Sequence, residues 1–198
     1  LYDVALQMLL ERRDRDRQIQ LTTRDALPEL ASLSQLTQIG IGGMPDLRTL
    51  DPIGFVDRLS HLAVTDCAAL EDVSSLIQWA GSLRSLDLRD CPALNLDTLP
   101  DLSELTALHL ADSGQLDLTP VSRLPHLTWL SLGDSQLPDL HPLRNAPNLK
   151  GLDILDSSEI DLTQLAGREG LTVTVWGSAT VHGADQLGPG SRVIRRRR

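Results

Sequence analysis

The chain has 198 residues, 23% of them charged and 41% hydrophobic, the balance of one soluble globular domain with room for an appended segment. Its net charge of −9 excludes a nucleic-acid-binding surface over most of the molecule, and two cysteines, Cys67 and Cys91, are too few for a disulfide scaffold. Aromatic residues supply only 3%, so the core must be aliphatic.

The first segment, LYDVALQMLLERRDRDRQI, has the spacing of an amphipathic helix. Leu1, Val4, Ala5, Met8, Leu9 and Leu10 share its apolar face, and the charged run after them alternates in sign, as a solvated surface does. Glu11, Arg12, Arg13, Asp14, Arg15, Asp16 and Arg17 are incompatible with a secretory signal. No apolar run is long enough to span a bilayer, so a reducing cytoplasm is the expected location. Because the chain begins at Leu1 and not Met, it is expected to be part of a longer protein.

From residue 30 onward one pattern recurs, L-x-x-L-x-L. It occurs at Leu83, Leu86, Leu88, then at Leu105, Leu108, Leu110, at Leu127, Leu130, Leu132, and at Leu149, Leu152, Ile154, with 22 residues between successive first leucines. Two earlier copies begin at Leu36 and Leu59, and a looser last one runs Leu171, Val173, Val175. This resembles the leucine-rich-repeat family over roughly residues 30 to 176, and the period lies in that family's range. The resemblance implies an α/β-type solenoid of short parallel strands. Such units cannot bury an apolar face alone and must stack, at about 4.8 Å per rung. The second half of each unit is rich in leucine and in Pro100, Pro120, Pro125, Pro142 and Pro147, which predicts short 3₁₀ or extended turns on the convex side and no full helix. The unit after Leu59 is longer, and SSLIQWAGS has room for a helical turn.

The glycines of QIGIGG fall inside this register. Ile39 and Ile41 take the two inward positions, and Gly40, Gly42 and Gly43 the outward ones. Met44-Pro45-Asp46 follows, with no lysine, so this is not a phosphate-binding loop, and no G-x-x-x-x-G-K-[ST] stands anywhere in the chain.

Three sets of positions carry the candidate chemistry. The outward strand positions supply the candidate ligand-binding residues Arg84, Asp87, Arg89, His109, Trp129, Lys150 and Asp153. An exposed Trp129 beside His109 and Asp153 has the composition of a binding hot spot; alternatively the ring lies flat across Ala107 and Gly151. The eighth position gives an acidic stripe, Asp66, Asp90, Asp112, Asp134 and Asp156. Each carboxylate is expected to cap the turn after its strand, and the stripe is also open to a cation or a basic partner. The ninth position, usually Asn in the family the repeats resemble, is here Met44, Cys67, Cys91, Ser113, Ser135 and Ser157. Cys67 and Cys91 are read as buried free thiols, with a disulfide conceivable across adjacent rungs. No metal-ligand spacing stands beside them, no catalytic residues are assigned, and His109, Asp87 and Asp153 form the only cluster an enzyme could use.

The N-terminal segment is also similar to the helical stretch near the end of the nucleotide-binding module in actinobacterial NACHT-type, NLR-like STAND NTPases, through LY…A…MLL.RRD..R.I. The closing GLTVTVWGSATVHGADQLGPGSRVI resembles the end of such proteins. The resemblance implies residues 1–29 as the end of an upstream module or a cap, 30–176 as repeats, and 177–198 as a C-terminal cap with a basic tail. The tail Arg195–Arg198 is expected to be a disordered, solubilising end, with anionic lipid or nucleic acid as the other reading. The implied role is the non-catalytic sensor region of a bacterial immune-signalling ATPase. Its concave face would meet a protein or pathogen-derived ligand and restrain its own upstream NTPase module. No cofactor is expected in this chain; ATP and magnesium would belong upstream. The alternative is a stand-alone interaction scaffold, like the 22-residue-repeat regulators of phosphatases.

Overall fold

The computed structural model describes residues 18–22, 27–32, 35–114, 116–133 and 137–197. Its strands are β1 (Gln18–Leu21), β2 (Gln38–Gly42), β3 (His61–Thr65), β4 (Ser85–Arg89), β5 (Ala107–Ala111), β6 (Trp129–Gly133), β7 (Gly151–Leu155), β8 (Glu159–Asp161), β9 (Thr172–Trp176), β10 (Thr180–His182) and β11 (Arg192–Arg196). Nine of them form one parallel sheet in the order β1-β2-β3-β4-β5-β6-β7-β9-β11. The alternation of the repeat explains each strand. In β4, Leu86 and Leu88 are fully buried, while Ser85, Asp87 and Arg89 face outward. The register keeps like with like: Leu62 pairs Leu86, Leu86 pairs Leu108, Leu108 pairs Leu130, and Leu130 pairs Leu152.

After β2, β3, β4, β5 and β7 the chain turns through one residue of left-handed backbone. Asp66, Asp90, Asp112 and Asp156 have φ of 55°, 56°, 52° and 54°, and Gly43 occupies the same place with φ 68°. Asp tolerates this conformation better than most residues and Gly best of all, which accounts for the regular eighth position. The backbone N–H of the turn residue extends the ladder by one bond: Asp66 donates to Arg89 O at 3.2 Å and Asp90 to Ala111 O at 2.9 Å. The next position turns inward, and its S–H or O–H donates to strand carbonyls. Ser113 Oγ lies 2.8 Å from Leu88 O, Cys91 Sγ 3.3 Å from Arg89 O, and Cys67 Sγ 3.4 Å from Thr65 O.

Asp and Asn side chains also cap the starts of the convex turns. Asp72, Asn95, Asp117, Asp139 and Asp161 each accept the backbone N–H two residues on, at 2.7, 3.0, 2.8, 3.0 and 2.9 Å. Each bond starts a short convex turn: the 3₁₀ turns Ser74–Trp79, Leu96–Thr98, His141–Asn145 and Leu162–Leu165, and the short α-turn α1 (Thr119–Ser122). Pro52, Pro120 and Pro142 sit in first turns, where no N–H is needed. The core fills the space between sheet and turns, almost wholly with Leu, Ile and Val, plus Trp79 at 1% exposure.

The sheet extends past both expected boundaries of the repeats. Gln18 and Ile19, read as the end of the N-terminal helix, lie in β1; the rest of that segment is outside the described residues. At the other end Arg195 and Arg196 are strand residues paired with Val175 and Trp176, so the expected disordered tail is corrected here. Arg195 Nη1 donates to Ala179 O at 2.8 Å, closing the last rung, and β8 and β10 form a separate parallel pair. Among the described residues no helix is long and apolar enough to cross a membrane.

Candidate recognition face

Register sorts the outward side chains into rows running across the strands. One row is His61, Ser85, Ala107, Trp129, Gly151, Thr172 and Arg192. The next is Gly40, Ala63, Asp87, His109, Ser131, Asp153 and Thr174. A third ends Ala111, Gly133, Leu155, Trp176, Arg196.

Asp87, His109 and Asp153 therefore share one row, with Ser131 between the last two. Asp87 is already engaged. Arg89 binds it bidentately, Nε to Oδ1 at 2.8 Å and Nη2 to Oδ2 at 2.7 Å, and this pairing raises the guanidinium pKa. Arg84, at the entrance to β4, meets Glu104 at 3.5 Å across solvent, and Lys150, just before β7, is exposed. Trp129 lies as the flat reading anticipated on one side. A Cβ at Gly151 would come within 2.7 Å of its Cζ3, so the indole rests on the bare backbone of β7. The ring is nevertheless 39% exposed. Asp153 Oδ2 accepts the indole N–H of Trp176 at 3.5 Å, and its Oδ1 is buried without a hydrogen-bond partner among the described residues. The guanidinium of Arg196 stands 5.6 Å from the centroid of Trp176. Sequence reasoning missed Trp176. It follows two inward valines, and only its odd-numbered place in the strand marked it as outward.

The N-terminal half of the face is different in kind. Gly40 and Ala63 form the floor of a shallow dish bordered by Gln20, His61, Ser85, Asp87 and His109. Gly40 holds an outward position, yet the Gln20 side chain from β1 lies directly over it and buries it.

The acidic stripe occupies the rim where strands turn into the convex side: Asp66, Asp90, Asp112 and Asp156 follow their strands in order, and Asp134 is outside the described residues. Among the described residues no three His, Cys, Asp or Glu side chains are placed to hold a metal ion. Cys67 and Cys91 are both buried and free. Burial holds their thiols protonated, Cys67 above its ordinary range and Cys91 pushed up to about 12.

No protein-family model matches the chain, and no curated protein matches it by sequence. Among solved structures it is similar to internalin C2 from Listeria monocytogenes, with a TM-score of 0.62 and 23% identity over 90% of this chain and 77% of that one. The fold is the leucine-rich-repeat solenoid. At that identity the likeness fixes the architecture of the solenoid and leaves its ligand to be argued from the face itself.

Proposed function

We propose that this solenoid is a protein-recognition module whose partner docks on the outward face of the nine-stranded sheet, and that it serves as the sensor region of a NACHT-family signalling ATPase. One observation carries the recognition reading. Positions that build the fold repeat from rung to rung: leucine inside, aspartate at the left-handed turn, cysteine or serine at the ninth place. The outward positions do not repeat; Ser85, Ala107, Trp129 and Gly151 stand side by side in one row. Residues free of the repeat's constraint are the ones available for selectivity, and an exposed tryptophan among small neighbours is the composition of an interface anchor.

The ATPase context is supported by the resemblances at the two ends of the chain. In it the repeats restrain a nucleotide-binding module that holds ATP and magnesium, in the cytoplasm, until a ligand docks. A free-standing scaffold is the rival. Catalysis on the row Asp87, His109, Ser131 is disfavoured by two facts. Asp87 is committed to Arg89, and the strand N–H groups that could hold an oxyanion are spent on the ladder.

A photo-crosslinking amino acid at position 109 tests the recognition reading against one at position 97, on the convex side. Crosslinks to one partner from 109 and none from 97 are expected; the reverse pattern sinks the proposal. The codons upstream of Leu1 test the context: a P-loop there supports the sensor role, and a start codon close by removes it.

A further inference from the structure

We propose that the corner of the face formed by Trp129, Asp153 and Trp176 is a socket for an arginine or lysine side chain of a protein partner; this rests on the concave-face reading above. Asp153 sits two residues beyond Gly151 on the same face of β7, about 7 Å along the strand. The Trp129 indole rests on Gly151 on one side, and the Trp176 indole donates to Asp153 Oδ2 on the other. Asp153 stands in the row between those of Trp129 and Trp176, and an acid beside an exposed indole is the composition that selects a cation: the open side of Trp129 attracts it and the acid pairs with it.

The state of the carboxylate argues in the same direction. Its Oδ1 is buried and unpartnered among the described residues, and a buried acceptor in that state costs free energy that a donor would return. With no side chain at position 151, the Trp129 ring packs directly on the β7 backbone, and its outer side is open to solvent and to a ligand. The basic groups nearby have other positions. Arg196 already stacks on Trp176, Arg192 Nε donates to Thr172 Oγ1 at 3.3 Å, and Arg195 is spent on Ala179. They border the socket on its β11 side, which places the incoming cation against Trp129. The net charge of −9 favours a basic partner at long range as well. A nucleic acid or anionic membrane offers the wrong sign.

The test uses the full chain, ¹⁵N-labelled at its three tryptophans, and two capped peptides, acetyl-Gly-Arg-Gly-amide and the same peptide with norleucine. The Trp129 and Trp176 indole signals are expected to shift saturably with the arginine peptide and not with norleucine. Trp79, fully buried, should stay still and report the fold. Asp153→Asn should weaken the arginine peptide about tenfold or more, as loss of a charge-assisted pair does. Trp129→Leu should weaken it too, and keeps the question open to measurement if Asp153→Asn disturbs the Trp79 signal. Equal shifts with norleucine, no shift with either peptide, or full retention in both variants would each overturn the socket. Crosslinking from position 109 that survives such a result would leave the broader recognition face standing.

Discussion

The aspartates after each strand look functional in the sequence because they are regular, acidic and on the surface. The φ values of Asp66, Asp90, Asp112 and Asp156 add a backbone reason: the turn needs a residue that tolerates the left-handed region. The two explanations separate on mutation. Asp90→Gly is expected to leave stability within about 0.5 kcal/mol, whereas Asp90→Val should cost roughly 1–2 kcal/mol because a β-branched side chain is strained there. If glycine cost as much as valine in urea titrations, the carboxylate itself would be holding the turn. The buried thiols have a second signature. Cys91 ionises near its ordinary value of 9.0 when unfolded and near 12 when folded. Its contribution is intact below pH 9 and declines as pH rises toward the folded value, by about 1.4 kcal/mol per pH unit for each proton held. Cys91→Ala should flatten the alkaline limb relative to the parent chain. Iodoacetamide at pH 8 should label neither thiol until urea unfolds the protein.

At the scale of the element, the convex turns owe their starts to the row Asp72, Asn95, Asp117, Asp139 and Asp161. This row was as legible as the leucines, since an Asp or Asn precedes Leu or Val in EDVSSL, LNLDTL, LDLTPV, LPDLHPL and EIDLTQL. The nearby prolines obscure it, because they say what cannot form there and not what starts the turn. The register of β2 to β7 and β9, by contrast, was legible in the leucines, because a period of two inside a period of 22 has only one register that buries every leucine. Trp176 and Arg196 escaped for a third reason: their pairing depends on a last rung, β11, that no leucine announces. The caps predict an acid response. Hydrogen bonds from Thr163 hold the Asp161 carboxyl below its usual range, as those from Ser74 and Thr119 do for Asp72 and Asp117. A depressed carboxyl stabilises above its unfolded value, and that share is lost as pH falls through the folded value. Asp161→Asn retains an acceptor for the Thr163 N–H while removing the titration. The variant should keep its cap near pH 7 and lose less stability than the parent as pH falls below the ordinary carboxylate range. Parallel acid limbs in the two proteins would show that Asp161 takes no part.

The whole molecule is a stack in which each rung of the sheet pairs with its neighbours and the core runs through all of them. Stability in such a stack is close to a sum of rung terms and nearest-neighbour terms, so damage should have an address. Leu108 stands in β5 at the middle of the sheet, fully buried and paired with Leu86 and Leu130. Leu108→Ala is expected to cost roughly 2–5 kcal/mol, the usual range for truncating a buried leucine. Val193, half-buried in the edge strand β11, packs on one neighbour only, so Val193→Ala should cost about 1 kcal/mol or less. Amide hydrogen exchange reads where the damage goes. In Leu108→Ala, protection should fall most in β4, β5 and β6 and least in β9 and β11, since those lie three rungs or more away. A uniform fall across all strands would mean that the stack opens as one cooperative unit. The recognition face would then respond as a whole to a ligand held at any one corner.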